Sequence, residues 1–289
     1  MEHRIDPLIA ERAPWLYSDR PGTRIAKRCL HRLLGYEPTV SLAKTLQDSS
    51  SEHIMDTMAA RLSKMVTASG LSHIPAHGPA LIVANHPTGI ADGIILNGLI
   101  SAARPDAYFF ANRDILRVFP QMETMIAPVE WRQELRSHAK TRETMGYVRK
   151  ATDEGRLGVI FPSGRLAKRR GLRLYERPWM ASAAMLARKF DLPVIPVNIQ
   201  ARNSALFYLF DLIHPTLRDI TLFHETLNKA RQPFRVTIGE PISAASIPRN
   251  SEDGIAMLRK AALALGGKDA PTVNLVSTSR ALARSVQSD

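Results

Sequence analysis

Leu81-Ile82-Val83-Ala84-Asn85-His86-Pro87-Thr88-Gly89-Ile90-Ala91-Asp92-Gly93 is the stretch on which the reading of the fold turns. Its apolar opening, with Ala80, is long enough for a short strand and too short for a helix. Pro87 and Gly89 then make a tight turn, and the apolar run from Ile94 onward has the length of a helix. A strand that turns straight into a helix is the repeating unit of an α/β sheet, and open α/β sheets bind ligands at the C-terminal ends of strands. His86 stands at such an end. His86 and Asp92 are six residues apart, so on one continuous helix they would diverge by ~120°. They meet only if His86 sits on the turn and Asp92 folds back from the first helical turn. A carboxylate on one ring nitrogen fixes the tautomer and raises the basicity of the other, leaving a general base for a hydroxyl or amine. The same residues also describe a solvated turn with an Asp helix cap.

Further short apolar runs bounded by turn residues read as strands over Ala107–Ala111, Met125–Val129, Leu157–Phe161, Val194–Ile199 and Phe234–Ile238. Helices are expected over Ile90–Ser101, Thr141–Thr152, Pro178–Phe190 and Ile255–Leu265, the last between Asn250-Ser251 and Gly266-Gly267. The alternation implies an α/β domain over 71–267, with a largely parallel central sheet flanked by helices. Residues 1–70 read as an N-terminal helical extension, and 268–289 as a polar tail in which Leu275–Val286 could add one helix.

Within the extension, Arg24–Leu34 starts after Pro21-Gly22-Thr23 and stops at Gly35. At ~100° per residue, Ile25, Ala26, Cys29, Leu30, Leu33 and Leu34 share one half of the wheel, and Arg24, Lys27, Arg28, His31 and Arg32 share the other. A polar face carrying only cationic residues suits a helix lying in an anionic membrane interface, or one docked on the main domain with its charges solvated.

The 289 residues carry a net charge of +12, with 45% hydrophobic and 6% aromatic residues. Such a chain folds, and it attracts an acidic partner or surface: anionic lipid, an acidic carrier protein or nucleic acid. Sparse aromatic residues give little material for stacking on single strands. The single cysteine, Cys29, excludes a disulfide framework. Met1–Tyr17 is no signal peptide, and no apolar stretch approaches the ~18 residues of a spanning helix. Neither G-x-G-x-x-G after a strand nor G-x-x-x-x-G-K-[ST] occurs, Ser163 lacks the first glycine of a nucleophile elbow, and no His pair has the one-turn spacing of a helical zinc site. No cofactor or metal is implied.

Asn85-His86 followed by Asp92 resembles the first motif of the glycerolipid acyltransferase superfamily, which includes the lysophosphatidic acid acyltransferases. The usual spacing puts four residues between His and Asp; five lie here. The form N-H-P-x-G with the longer gap is more similar to a bacterial branch that includes haemolysin-like and ornithine-lipid acyltransferases. Ile126-Ala127-Pro128-Val129-Glu130-Trp131-Arg132 resembles the second motif, Val159-Ile160-Phe161-Pro162-Ser163-Gly164-Arg165 the third (F-P-E-G-T-R), and Leu192-Pro193-Val194-Ile195-Pro196-Val197 the fourth. Gly239-Glu240-Pro241-Ile242 is similar to the strand end that follows, so the resemblance spans about 78–243.

The resemblance implies transfer of a fatty acyl group from an acyl-CoA or acyl carrier protein thioester to a lyso-lipid or related polar-lipid acceptor. It assigns His86 as base and Asp92 as its orienting partner. Substrate contacts fall to Asn85, Arg132, Ser163, Gly164 and Arg165, with Arg113 as a further anion contact. Ser163 stands where the family carries Glu, and no Thr lies between Gly164 and Arg165. The expected site of action is the cytoplasmic membrane face, peripherally bound, with no nucleic-acid partner. The competing reading is a non-catalytic basic peripheral protein that binds anionic lipid or nucleic acid. Two stretches stay open. Arg165–Arg177 is either a solvated charge run or a lid or carrier-protein dock, and Asn203–His214 is either a buried helix or a lip dipping into lipid.

Overall fold

The computed structural model describes residues 1–18, 22–130, 135 and 137–278. Strand β2 (Ala80–Ala84) is buried at every position, and a strand covered on both faces needs helices above and below it. It is the middle of seven. The sheet runs β1 (Val66–Ser69), β9 (Phe234–Ile238), β8 (Val194–Gln200), β2, β5 (Leu157–Ile160), β3 (Tyr108–Asn112) and β4 (Ile126–Val129). Every pairing in it is parallel except β8 with β9. Because successive side chains alternate in direction, Ile82 and Ala84 enter one core with α4 (Ser51–Leu62) and α5 (Ile90–Ile100). Leu81 and Val83 enter the other, with α7 (His138–Asp153), α8 (Ser182–Lys189) and α11 (Ser251–Ala264).

The N-terminal helices α1 (Glu2–Arg12), α2 (Thr23–Leu34) and α3 (Tyr36–Thr45) form a third apolar cluster with α6 (Asp114–Val118) and the pair α9 (Ala205–Ile213) and α10 (Pro215–Asn228). Arg12 seals that contact through Asp114 at 2.7 Å. The extension therefore packs on the α/β domain, and its last four residues before Gly70 supply the edge strand β1, which the sequence reading did not anticipate.

Two expectations are corrected, and one open stretch takes a definite form. The helix expected from Pro178 begins at Ser182, because the Met180 N–H is drawn away to the Pro162 carbonyl at 2.9 Å. The basic run is a hairpin, β6 (Lys168–Arg170) and β7 (Arg173–Tyr175), turning at Gly171 with φ +58°. The supposed tail supplies β10 (Thr272–Asn274), antiparallel to β7 with Val273 and Leu174 both buried, so 268–278 is ordered structure. The remainder of that tail lies outside the described residues.

Candidate active site

The turn after β2 brings His86 and Asp92 together. His86 Nδ1 lies 2.9 Å from Asp92 Oδ2. Gly89 makes this possible by adopting φ +92°, a conformation that costs only glycine nothing. Asp92 then reaches back from the first turn of α5. Its Oδ2 accepts the N–H groups of Thr88 (2.9 Å) and Gly89 (3.0 Å), and its Oδ1 accepts the Thr88 hydroxyl. Three donors and the positive end of a helix satisfy a carboxylate that is 0% exposed. The His86 ring stacks on Phe161 from the end of β5, with centroids 4.3 Å apart, and faces the cavity.

Both backbone groups of His86 are also engaged. Its carbonyl accepts the Ala167 N–H at 2.9 Å, and its N–H donates to Glu176 Oε2 at 3.1 Å. Trp179 Nε1–H donates to the other Glu176 oxygen at 3.0 Å. Burial pushes the Glu176 carboxyl above the usual range, opposed by these bonds, by His86 and by Ser163.

The other expected residues divide. Both ends of the buried Asn85 amide are taken by the Ile199 backbone (2.9 and 2.7 Å), so it brackets β2 to β8. Arg113 pairs with Glu143 of α7 at 2.5 Å and is not among the residues that line the cavity. Ser163 is buried and donates to the Arg165 carbonyl at 2.8 Å, which shapes the turn in which Gly164 takes φ +59°. Gly164 and Arg165 line the cavity, and Arg165 is exposed with no ion-pair partner among the described residues. Arg132 lies outside the described residues.

The cavity has a volume of about 1590 Å³. Its lining includes apolar residues of α4, α5 and β3 (Met55, Met58, Ile94, Phe109) and the cations Arg165, Arg169, Arg177 and Lys189. A large, mostly apolar cavity with cations in its lining and a histidine at its wall suits an amphiphile with an anionic head. Sequence reasoning missed Phe161 as the ring beneath His86 and Glu176 as its backbone partner. The one signal for Glu176 was its being the lone acid in the run Arg165–Arg177.

Residues 65–200 match the family model described as Acyltransferase. With this fold and the relatives below, the match supports placing the chain in the glycerolipid acyltransferase superfamily, with O-acyltransferase activity. Its relatives include lyso-glycine lipid O-acyltransferases from Phocaeicola vulgatus (23% identical over 206 residues, 68% of this chain and 72% of that one) and Bacteroides thetaiotaomicron (20% over 246 residues, 82% and 87%). The structure is similar to the 1-acyl-sn-glycerophosphate acyltransferase PlsC of Thermotoga maritima, with a TM-score of 0.50 and 14% identity over 83% of this chain and 94% of that one. That likeness concerns the fold. The non-catalytic reading of the sequence is not favoured.

Proposed function

We propose that the protein transfers a fatty acyl group from an acyl-CoA or acyl carrier protein thioester to the hydroxyl of a lyso-lipid, with His86 as general base. The observation that carries this is the 2.9 Å approach of His86 Nδ1 to the fully buried Asp92 at the wall of a large, mostly apolar cavity. With Nδ1 turned to Asp92, Nε2 takes the hydroxyl proton as oxygen attacks the thioester carbonyl; collapse expels the thiolate and forms the ester. Arg165, with Arg177 and Lys189, holds the anionic head of the acceptor, as planar guanidinium forks suit carboxylate and phosphate alike. The names of the two curated relatives support a lyso-lipid acceptor, and a glycine headgroup would present such a carboxylate.

The acceptor resides in a bilayer, so the protein must reach one. No helix among the described residues is long and apolar enough to cross a membrane. On α2, Ile25, Cys29 and Leu33 form an exposed stripe one turn apart beside exposed Arg24, Arg28 and Arg32. On α9, Phe207, Tyr208 and Asp211 line the cavity, whereas Leu209, Leu212 and Ile213 are exposed. We read α2 and the end of α9 as the contact with an anionic, cytoplasmic-face membrane, held by apolar insertion and cationic attraction together.

The test supplies lipid extract and purified protein with labelled acyl-CoA or labelled acyl carrier protein in parallel. His86→Ala is expected to cut ester formation by ~10²–10⁴. Transfer at the wild-type rate would remove the proposed mechanism.

A further inference from the structure

The basic hairpin and the catalytic turn are tied at two points, and both ties end on the backbone of one residue. At one foot of the hairpin, the Ala167 N–H holds the His86 carbonyl; at the other, Glu176 Oε2 accepts the His86 N–H. Glu176 is 8% exposed, which is rare for a carboxylate unless its partners require it there. It spends its two oxygens on different elements, the catalytic turn through His86 and the approach to α8 through Trp179. The backbone carbonyl of Glu176 is held by Arg259 from α11 at 3.0 Å. Hence four segments, the turn after β2, the hairpin, the approach to α8 and α11, converge on one buried acid.

Nothing in ordinary packing calls for a charge at this point. A neutral amide of the same size would fill the volume, but its NH₂ group would face one of the N–H donors and leave it unpaired. A carboxylate alone accepts on both oxygens. The ring it steadies from behind is the one stacked on Phe161 and aimed into the cavity.

We propose that Glu176 is the positioning carboxylate of the site: from the foot of the hairpin it fixes the His86 backbone, supplying the acid that Ser163 does not. Ser163, where a glutamate would otherwise stand in the third motif, is then the small partner that leaves room for Glu176. The proposal rests on His86 being the base.

The test is steady-state transfer by the full-length protein, with thermal melting of each variant. Glu176→Gln is expected to lower kcat by about 10- to 100-fold, the scale of losses from a misplaced catalytic group, with KM for the thioester within about twofold of wild type. The melting temperature should hold to within a few degrees. Wild-type kcat in the folded variant overturns the proposal, and so does a loss spread equally over kcat, KM and melting. Should Glu176→Gln fail to fold, Glu176→Asp carries the test. It keeps the charge but shortens the reach by one methylene, so kcat should fall at unchanged KM, and wild-type kcat again overturns it. His86→Ala in the same assay separates the two readings. If His86→Ala is inert and Glu176→Gln is fully active, only the positioning role fails. If His86→Ala itself stays active, the base assignment fails first.

Discussion

Asp92 is held by Thr88 and Gly89 from one side and meets His86 Nδ1 on the other, so neither member of the pair has a use alone. Asp92→Asn keeps the shape but removes the charge that favours the imidazolium formed on proton transfer. Acyl transfer should fall by ~10²–10⁴, and the double variant with His86→Ala should be no slower than His86→Ala alone, because groups acting as a unit do not add. A double variant with multiplied losses would separate their roles. This pair was legible in the sequence because its geometry is local, a strand end, two turn residues and the start of a helix. Glu176 was not legible, since it reaches His86 across ninety positions of chain through a hairpin that charge patterning showed only as a basic run. The direction of Arg113 was not legible for the converse reason. A strand end shows where a side chain begins and not which way it turns, and Arg113 turns to Glu143.

At the level of elements, the periodicity of α2 was readable, and its division into covered and open residues was not. Leu34 is buried and Leu30 packs against the N-terminal cluster, whereas Ile25 and Leu33 are 68% and 50% exposed. The sequence lists all four on one face; packing against α3, α10 and Pro14–Tyr17 decides which remain free. Ile25→Asp with Leu33→Asp should therefore release the protein from anionic liposomes while leaving its melting temperature nearly unchanged, as exposed sites change stability by ~0.5 kcal/mol or less. High salt should weaken pelleting only in part, because the apolar insertion of Ile25 and Leu33 is not screened. Sedimentation of wild type and variant across salt concentrations checks both statements. Leu212→Asp with Ile213→Asp should act in the same direction if α9 enters the same interface. The analogous run Asn203–His214 reads as apolar nearly all round, yet α9 buries only one side and leaves Leu209, Leu212 and Ile213 exposed among the described residues.

Across the whole molecule, the helical pair α9–α10 is anchored beside the sheet by a buried ion pair, Lys229 with Glu225 at 2.8 Å. Lys229 also donates to the Arg202 carbonyl and to Gln232, and the Glu225 carboxylate accepts from Ser204 at the start of α9. Burial alone would raise the Glu225 carboxyl; the Lys229 ammonium and Ser204 outweigh it and hold it below the usual range. Glu225→Gln leaves the ammonium uncompensated and should cost about 3–5 kcal/mol in denaturant unfolding. A carboxyl depressed in the folded state contributes stability above its unfolded value of roughly 4.3 and loses it as pH falls through the folded value. The difference between wild type and variant should accordingly shrink on acidification below about pH 4. The fold class was legible because strands and helices alternate over most of the chain; the boundary near residue 70 was not, because composition changes there and hydrogen bonding does not. Val66–Ser69 is parallel to Phe234–Ile238, so the strand of the seven-stranded sheet that comes first in the chain borders the one that comes last. Trimming the chain to begin at 71 would strip Phe234–Ile238 of its neighbour and bare a row of amides and carbonyls on an apolar strand, a template on which other copies add. What looks in composition like a detachable preface is a selvedge, the woven border that keeps the rest of the cloth from fraying into aggregate.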